Sequence, residues 1–151
     1  MNIFLDTNVI LENLLTREDF SSAHRLFQVI QKQKHSLYMS VGSFYTMIFL
    51  VDKFLRKERG LIGQERIDVL REMMSIILRT VNVAEHDNIS LLRGINNVHF
   101  KDVEDGCQYQ VALKAGCEVL ITFNVSDYPV RDHSPIRVFT PQQYLDLDTN
   151  K

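Results

Sequence analysis

Short apolar runs alternate with longer stretches of helical period along this chain, the pattern of an α/β fold with a largely parallel sheet. The first run, Ile3-Phe4-Leu5, is apolar without interruption, as a strand covered on both faces should be. Asp6 closes it, and Asn8 to Leu15 reads as a short helix. A longer helix begins near Ser21, with Ala23, Leu26, Phe27 and Ile30 recurring on one face. Ser36 to Ser40 forms the second strand, and a strong helical stretch runs from about Ser43 to Lys57. After a break at Gly60 and Gly63, Ile67, Leu70, Met73, Met74, Ile77 and Leu78 mark another helix. Val81 and Val83 suggest a third strand, and Ile89 to Ile95 a short helix. Asp102 opens a helix that ends near Gly116, a suitable C-terminal glycine. Val119-Leu120-Ile121 is the fourth strand and Val138-Phe139 the fifth, with Thr140-Pro141 starting a last helix.

Composition adds bounds to this picture. With 151 residues, the chain reads as one domain over residues 1–151, able to bury roughly 68–70% of its unfolded surface without a disulfide or structural metal. Hydrophobic residues at 45% and charged residues at 24% describe a globular protein rather than a disordered one. Asp6 arrives too early for the apolar region of a signal peptide, and the apolar run Met47–Val51 is far short of a membrane span. Cys107 and Cys117 lack metal-ligand spacing and suit a reducing compartment, so the cytoplasm is the expected location. A net charge of -2 provides no global basic field for nucleic acid. Lys53, Arg56, Lys57 and Arg59 form the densest basic cluster, read here as a solvated helix end.

Candidate chemistry lies in the aspartates. Ligands of open parallel sheets bind beyond the carboxyl ends of the strands. Asp6 follows the first strand, and Asn124 and Asp127 follow the fourth. Asp102 and Asp105 stand at the start of the helix leading into the fourth strand, and topology alone does not fix which edge they occupy. Each acid also has a plainer explanation: Asp6 and Asp102 as helix N-caps, Asp105 as a charge complementing a helix start, Asp127 as a turn residue. Carboxylates gathered at one edge repel unless a cation neutralises them. Hard oxygen donors with no His or Cys pattern favour Mg²⁺ or Mn²⁺ over zinc, and such a site suits phosphoryl displacement.

Three segments in this order resemble the PIN-domain family, small metal-dependent ribonucleases that include VapC-type toxins of bacterial toxin–antitoxin pairs. Ile3 to Ile10 resembles the family's strand with its Asp-Thr-Asn signature at Asp6-Thr7-Asn8. Asp102-Val103-Glu104-Asp105, with Ala112-Leu113 and Gly116 behind it, is similar to the family's third-acid helix. Val119 to Tyr128 resembles the closing Thr-x-Asn-x-x-Asp-aromatic segment. The resemblance covers nearly the whole chain. It implies a three-layer α/β/α fold with a short, mainly parallel five-stranded sheet. It also implies an endoribonuclease that uses Mg²⁺- or Mn²⁺-activated water. Asp6, Asp105 and Asp127 would be the catalytic, metal-binding carboxylates, with Asp102 as an auxiliary. Asn8, Thr122 and Asn124 would shape the site. RNA would be the substrate, a small antitoxin protein the inhibitor, and a homodimer the assembly.

Two positions depart from the pattern. The family carries a Glu on the helix after the second strand, where this chain has Thr46, and Asp52 stands almost two turns further on. Phe123 occupies a place where Arg is common. The loss of the Glu gives the main alternative, a catalytically degenerate PIN-like module that binds RNA or a protein partner. A phospho-accepting receiver is poorly matched, because Thr7-Asn8 follows Asp6 and no lysine follows the last strand. No nucleotide-binding glycine motif is present. The five histidines show no ligand spacing.

Overall fold

The computed structural model describes residues 1–129 and 131–149. The chain runs β1 (Asn2–Leu5), α1 (Thr7–Leu15), α2 (Phe20–Lys32), β2 (Ser36–Ser40), α3 (Val41–Lys57) and α4 (Gly63–Thr80). It continues through β3 (Asn82–Ala84), α5 (Asn88–Ile95), α6 (Val103–Lys114), β4 (Val119–Ile121), a 3₁₀ turn (Val125–Asp127), β5 (Arg137–Phe139) and α7 (Pro141–Thr149). The strands order as β3-β2-β1-β4-β5 and every pairing is parallel.

Strand alternation divides the core between the two faces of the sheet. Ile3, Leu5, Leu37, Met39, Val119 and Ile121 pack with α1, α2, α3, α4 and Tyr144 of α7. Phe4, Leu120, Tyr38 and Val138 pack on the other face with residues of α5 and α6. The result is the expected α/β/α sandwich. β1 lies at its centre with Ile3, Phe4 and Leu5 wholly buried, which is why that strand reads as an unbroken apolar run.

Two local features bear on the site. First, α3 starts at Val41, two residues earlier than the periodicity suggests, because Ser40 ends β2 and caps the helix by accepting the Ser43 N–H at 2.9 Å. Second, α5 and α6 cross at a pair of glycines. A Cβ at Gly94 would lie 2.5 Å from Cys107 Cα, and one at Gly106 would lie 2.8 Å from the Gly94 carbonyl. Only glycines permit this approach, and it sets the position of the α6 N-terminus, where Asp105 precedes Gly106. At the other end Gly116 adopts φ 66°, the left-handed residue that closes α6.

Candidate functional site

From β1 the chain moves outward through β2 to β3, then returns to lay β4 on the other side of β1. The strand order therefore reverses between β1 and β4, and a crevice opens at their carboxyl ends. Asp6 and Thr122 are the first residues beyond these two strands. The Asp6 N–H donates to the Ile121 carbonyl at 3.0 Å, continuing the ladder and holding the two chain exits side by side.

Asp6 is buried, 9% exposed. It occupies the N-cap position of α1, yet its side chain makes no capping bond. Instead the Thr122 hydroxyl, itself fully buried, donates to Asp6 Oδ2 at 2.9 Å. Thr122 Oγ1 also accepts the Asn124 N–H at 3.1 Å, tying the loop after β4 to the same carboxylate. Asp105 is half-buried on the first turn of α6, and the buried Tyr128 donates its hydroxyl to Asp105 Oδ1 at 3.3 Å. Asp102 caps α6, accepting the Glu104 N–H at 2.8 Å. Asp127 ends the 3₁₀ turn and is exposed at the rim.

Electrostatics shows that these acids share one neighbourhood. Burial raises the Asp6 carboxyl above its ordinary range against the Thr122 hydroxyl and the Thr7 N–H, and the charge of Glu104 pushes the same way. Burial is also the main reason that Asp105 is pushed up to about 6, with Asp102 and Asp6 adding to it, Tyr128 opposing and Asp127 adding again. Burial likewise raises the Tyr128 hydroxyl, with Asp6 and Asp105 nearby, so the ring remains a neutral donor. Among the described residues no Lys, Arg or His forms an ion pair with Asp6, Asp102, Asp105 or Asp127.

This donor set fits a hard divalent cation in chemistry: oxygen ligands, uncompensated negative charge and raised carboxyl pKa values, all of which a cation would relieve. Among the described residues, no three His, Cys, Asp or Glu side chains stand close enough to hold one ion as they lie. Mg²⁺ tolerates that arrangement, since it retains several waters and needs only one or two direct carboxylates.

The family model described as PIN domain matches residues 2–126. The chain belongs to the PIN-domain family. It is 27% identical over 146 residues to the ribonuclease VapC1 of Aquifex aeolicus, covering 95% of this chain and 93% of that protein. In fold it resembles VapBC2 from Rickettsia felis, solved bound to a DNA fragment from its promoter, with TM-score 0.65 at 11% identity over 93% of this chain and 98% of that one. It also resembles VapBC-1 from nontypeable Haemophilus influenzae, with TM-score 0.60 at 18% identity over 94% and 99%.

Within this PIN fold the remaining candidate residues are distributed unevenly. Thr46 is exposed on α3, one turn beyond Ser43. Asp52 makes ion pairs with Arg56 at 3.3 Å and Arg66 at 3.0 Å, so it is engaged away from the acids. Asn8 is exposed and lines a groove with Arg17, Lys53 and Lys57, and the Asn124 side chain is exposed too. Phe123 packs against the core. Sequence reasoning assigned no part to Tyr128, although an aromatic directly after Asp127 was a usable signal. It also missed a buried polar chain. Ser43 Oγ accepts from Thr7 at 2.8 Å and from Ser40 at 2.9 Å, then donates to Gln108 Oε1 at 3.5 Å. Gln108 Nε2 in turn donates to Glu104 at 3.2 Å. No sequence pattern marks the Thr7–Ser43 and Ser43–Gln108 contacts, whose partners lie 36 and 65 residues apart in the chain.

Proposed function

We propose that this protein is a metal-dependent endoribonuclease that hydrolyses RNA phosphodiesters and acts as the toxin of a bacterial toxin–antitoxin pair. The observation that carries the reading is the meeting of Asp6, held by Thr122, and Asp105, held by Tyr128, at the switch point of the sheet, with no ion pair to either among the described residues. Asp6, Asp105 and Asp127 are the proposed catalytic and metal-binding residues, with Asp102 as auxiliary. Bound among them, Mg²⁺ or Mn²⁺ would activate water and stabilise the leaving oxygen.

The chain's own residues prepare that chemistry. Thr122 fixes the Asp6 carboxylate in a buried position, and Tyr128 orients Asp105 from the opposite side. Asp127 and Asp102 extend the negative rim outward. The acids would confine the ion and so place the scissile phosphate at the crevice mouth. The VapC name of the relative and the VapBC complexes among the structural neighbours support an antitoxin partner. Tyr45 and Phe49 sit one turn apart on α3, 66% and 63% exposed, a surface suited to the proposed homodimer. The cytoplasm, where RNA is met, is the location this reading requires. A non-catalytic binding module is the second reading, favoured by the absence of a carboxylate at Thr46.

Cleavage of a mixed RNA substrate with Mg²⁺ or Mn²⁺ decides between them. The nuclease reading expects cleavage that stops with EDTA and is absent from Asp6→Ala. Intact RNA at every metal concentration would favour the module.

A further inference from the structure

Lys53, Arg56, Lys57 and Arg59 crowd the end of α3, and the structure separates them into two pairs. Arg56 is engaged with Asp52 at 3.3 Å, and the Arg59 guanidinium lies over the Phe54 ring, 5.6 Å from its centroid. Lys53 and Lys57 are exposed and make no ion pair among the described residues. They stand four residues apart on α3, so their side chains share one face. Both line a groove with Asn8 and Arg17 from the α1 side, and Glu58 is the one acid on its lining. Leu50 and Phe54, each half-buried, add apolar surface to the same groove. A solvated helix end accounts for Lys57, which lies in the last turn of α3. It does not account for Lys53, because the pull of the helix dipole falls off within that turn.

The position of the groove suggests what fills it. Asn8 stands two residues after Asp6 at the start of α1, and Arg17 lies just past the end of that helix. The groove therefore leads from the crevice along α1. A polyanion entering the crevice meets uncompensated aspartates, so its hold must come from cations outside it. On a chain of net charge -2, this groove offers three cations against one acid, although Glu12 partly answers Arg17 at 3.5 Å.

We propose that this groove holds the backbone of single-stranded RNA on one side of the bond cleaved at the crevice. Lys53 and Lys57 contact its phosphates, and Leu50 and Phe54 offer apolar surface to the sugars and bases between them. A positive groove with aromatic surface is a general means of holding a single strand without reading its sequence. The inference rests on the ribonuclease reading above.

The test is fluorescence anisotropy of a short fluorescein-labelled single-stranded RNA with the full chain, over a range of salt, in EDTA to keep the RNA intact. Wild type is compared with Lys53→Gln plus Lys57→Gln, and with Lys32→Gln plus Lys34→Gln. Lys32 and Lys34 are exposed between the end of α2 and the start of β2, so this control removes the same charge at the opposite edge of the sheet. Each phosphate contact to a single strand contributes about 0.7 to the slope of log K against log salt. Losing Lys53 and Lys57 should therefore lower the slope by about 1.4 and weaken binding about 25-fold at 0.1 M salt. The control pair should keep the wild-type slope. Lys53→Arg plus Lys57→Arg should keep it too, which a loss through misfolding would not allow.

Equal losses in the two glutamine pairs would overturn the inference and leave only an effect of net charge. Unchanged binding without Lys53 and Lys57 would also overturn it, and would assign the groove to an acidic protein segment instead. Absence of binding by wild type would overturn it as well. Cleavage of the same RNA by wild type with Mn²⁺ then reports separately whether the ribonuclease reading stands.

Discussion

Two groups of aspartates stand at helix starts in this molecule, and the fold treats them in opposite ways. Asp87 caps α5, accepting the Ser90 N–H at 2.8 Å, and pairs with Lys114 at 2.9 Å. The cap hydrogen bond, together with Lys114, holds its carboxyl well below the ordinary range. Asp6 also occupies an N-cap position, but its side chain caps nothing, burial raises its pKa, and Asp105 is raised to about 6. Asp87 is an acid with its charge answered. The acids at the β1–β4 crevice are raised first by burial and then by the charges of neighbouring acids. A fold that answers a surface carboxylate so completely leaves these unanswered, and that difference supports the proposal that the crevice binds a ligand.

The two groups predict opposite responses to pH. Asp87, with its folded pKa depressed, stabilises the protein above the ordinary carboxyl pKa of about 4, and that contribution is lost as the pH falls below it. Asp105, with its folded pKa raised, costs nothing below about 4; its cost develops as the pH rises toward 6 and is complete above that. Solvent reduces the size of both effects, since neither group is fully buried.

Substitutions can break the comparison, and the largest effect is expected at Asp6. Asp6→Ala should abolish RNA cleavage while its urea midpoint at pH 7 is no lower than wild type; a collapsed fold would mean that Asp6 is structural, like Asp87. Thr122→Val should come next. It leaves the buried Asp6 carboxylate without its hydroxyl donor and the Asn124 N–H without an acceptor, a cost of about 1–3 kcal/mol in urea unfolding. Asp105→Asn should raise the melting temperature at pH 7.5 and raise it less at pH 4, where the wild-type carboxyl is already protonated. An equal gain at both would mean that the charge on the carboxyl is not the cause. Asp87→Ala should do the reverse, lowering the melting temperature at pH 7 and leaving Mn²⁺ affinity untouched. The smallest change belongs to Tyr128→Phe. Without the hydroxyl that lowers it, the Asp105 pKa should rise further, so Mn²⁺ binding should weaken near pH 6 more than at pH 8.

How much of this could be read from sequence follows from what each feature depends on. The strands were legible because Ile3-Phe4-Leu5 and Val119-Leu120-Ile121 are buried on both faces and therefore apolar throughout. Asp6, Asn124 and Asp127 could be placed at one edge because parallel strands end together. Asp105 could not, since helix position depends on packing, and here it is fixed by the Gly94–Gly106 contact between α5 and α6. The Thr7–Ser43–Gln108–Glu104 chain joins residues that meet only after β1, α3 and α6 have assembled. Small polar residues at such positions look like ordinary surface residues in a sequence, and only burial shows that they are not.

The central claim is that the crevice acids exist to bind a divalent cation. Its most direct test is calorimetric titration of Mn²⁺ into wild type and Asp105→Ala at pH 7. The account predicts saturable binding in wild type and its loss in the variant. No binding by wild type at millimolar metal, or equal binding by both proteins, would contradict it.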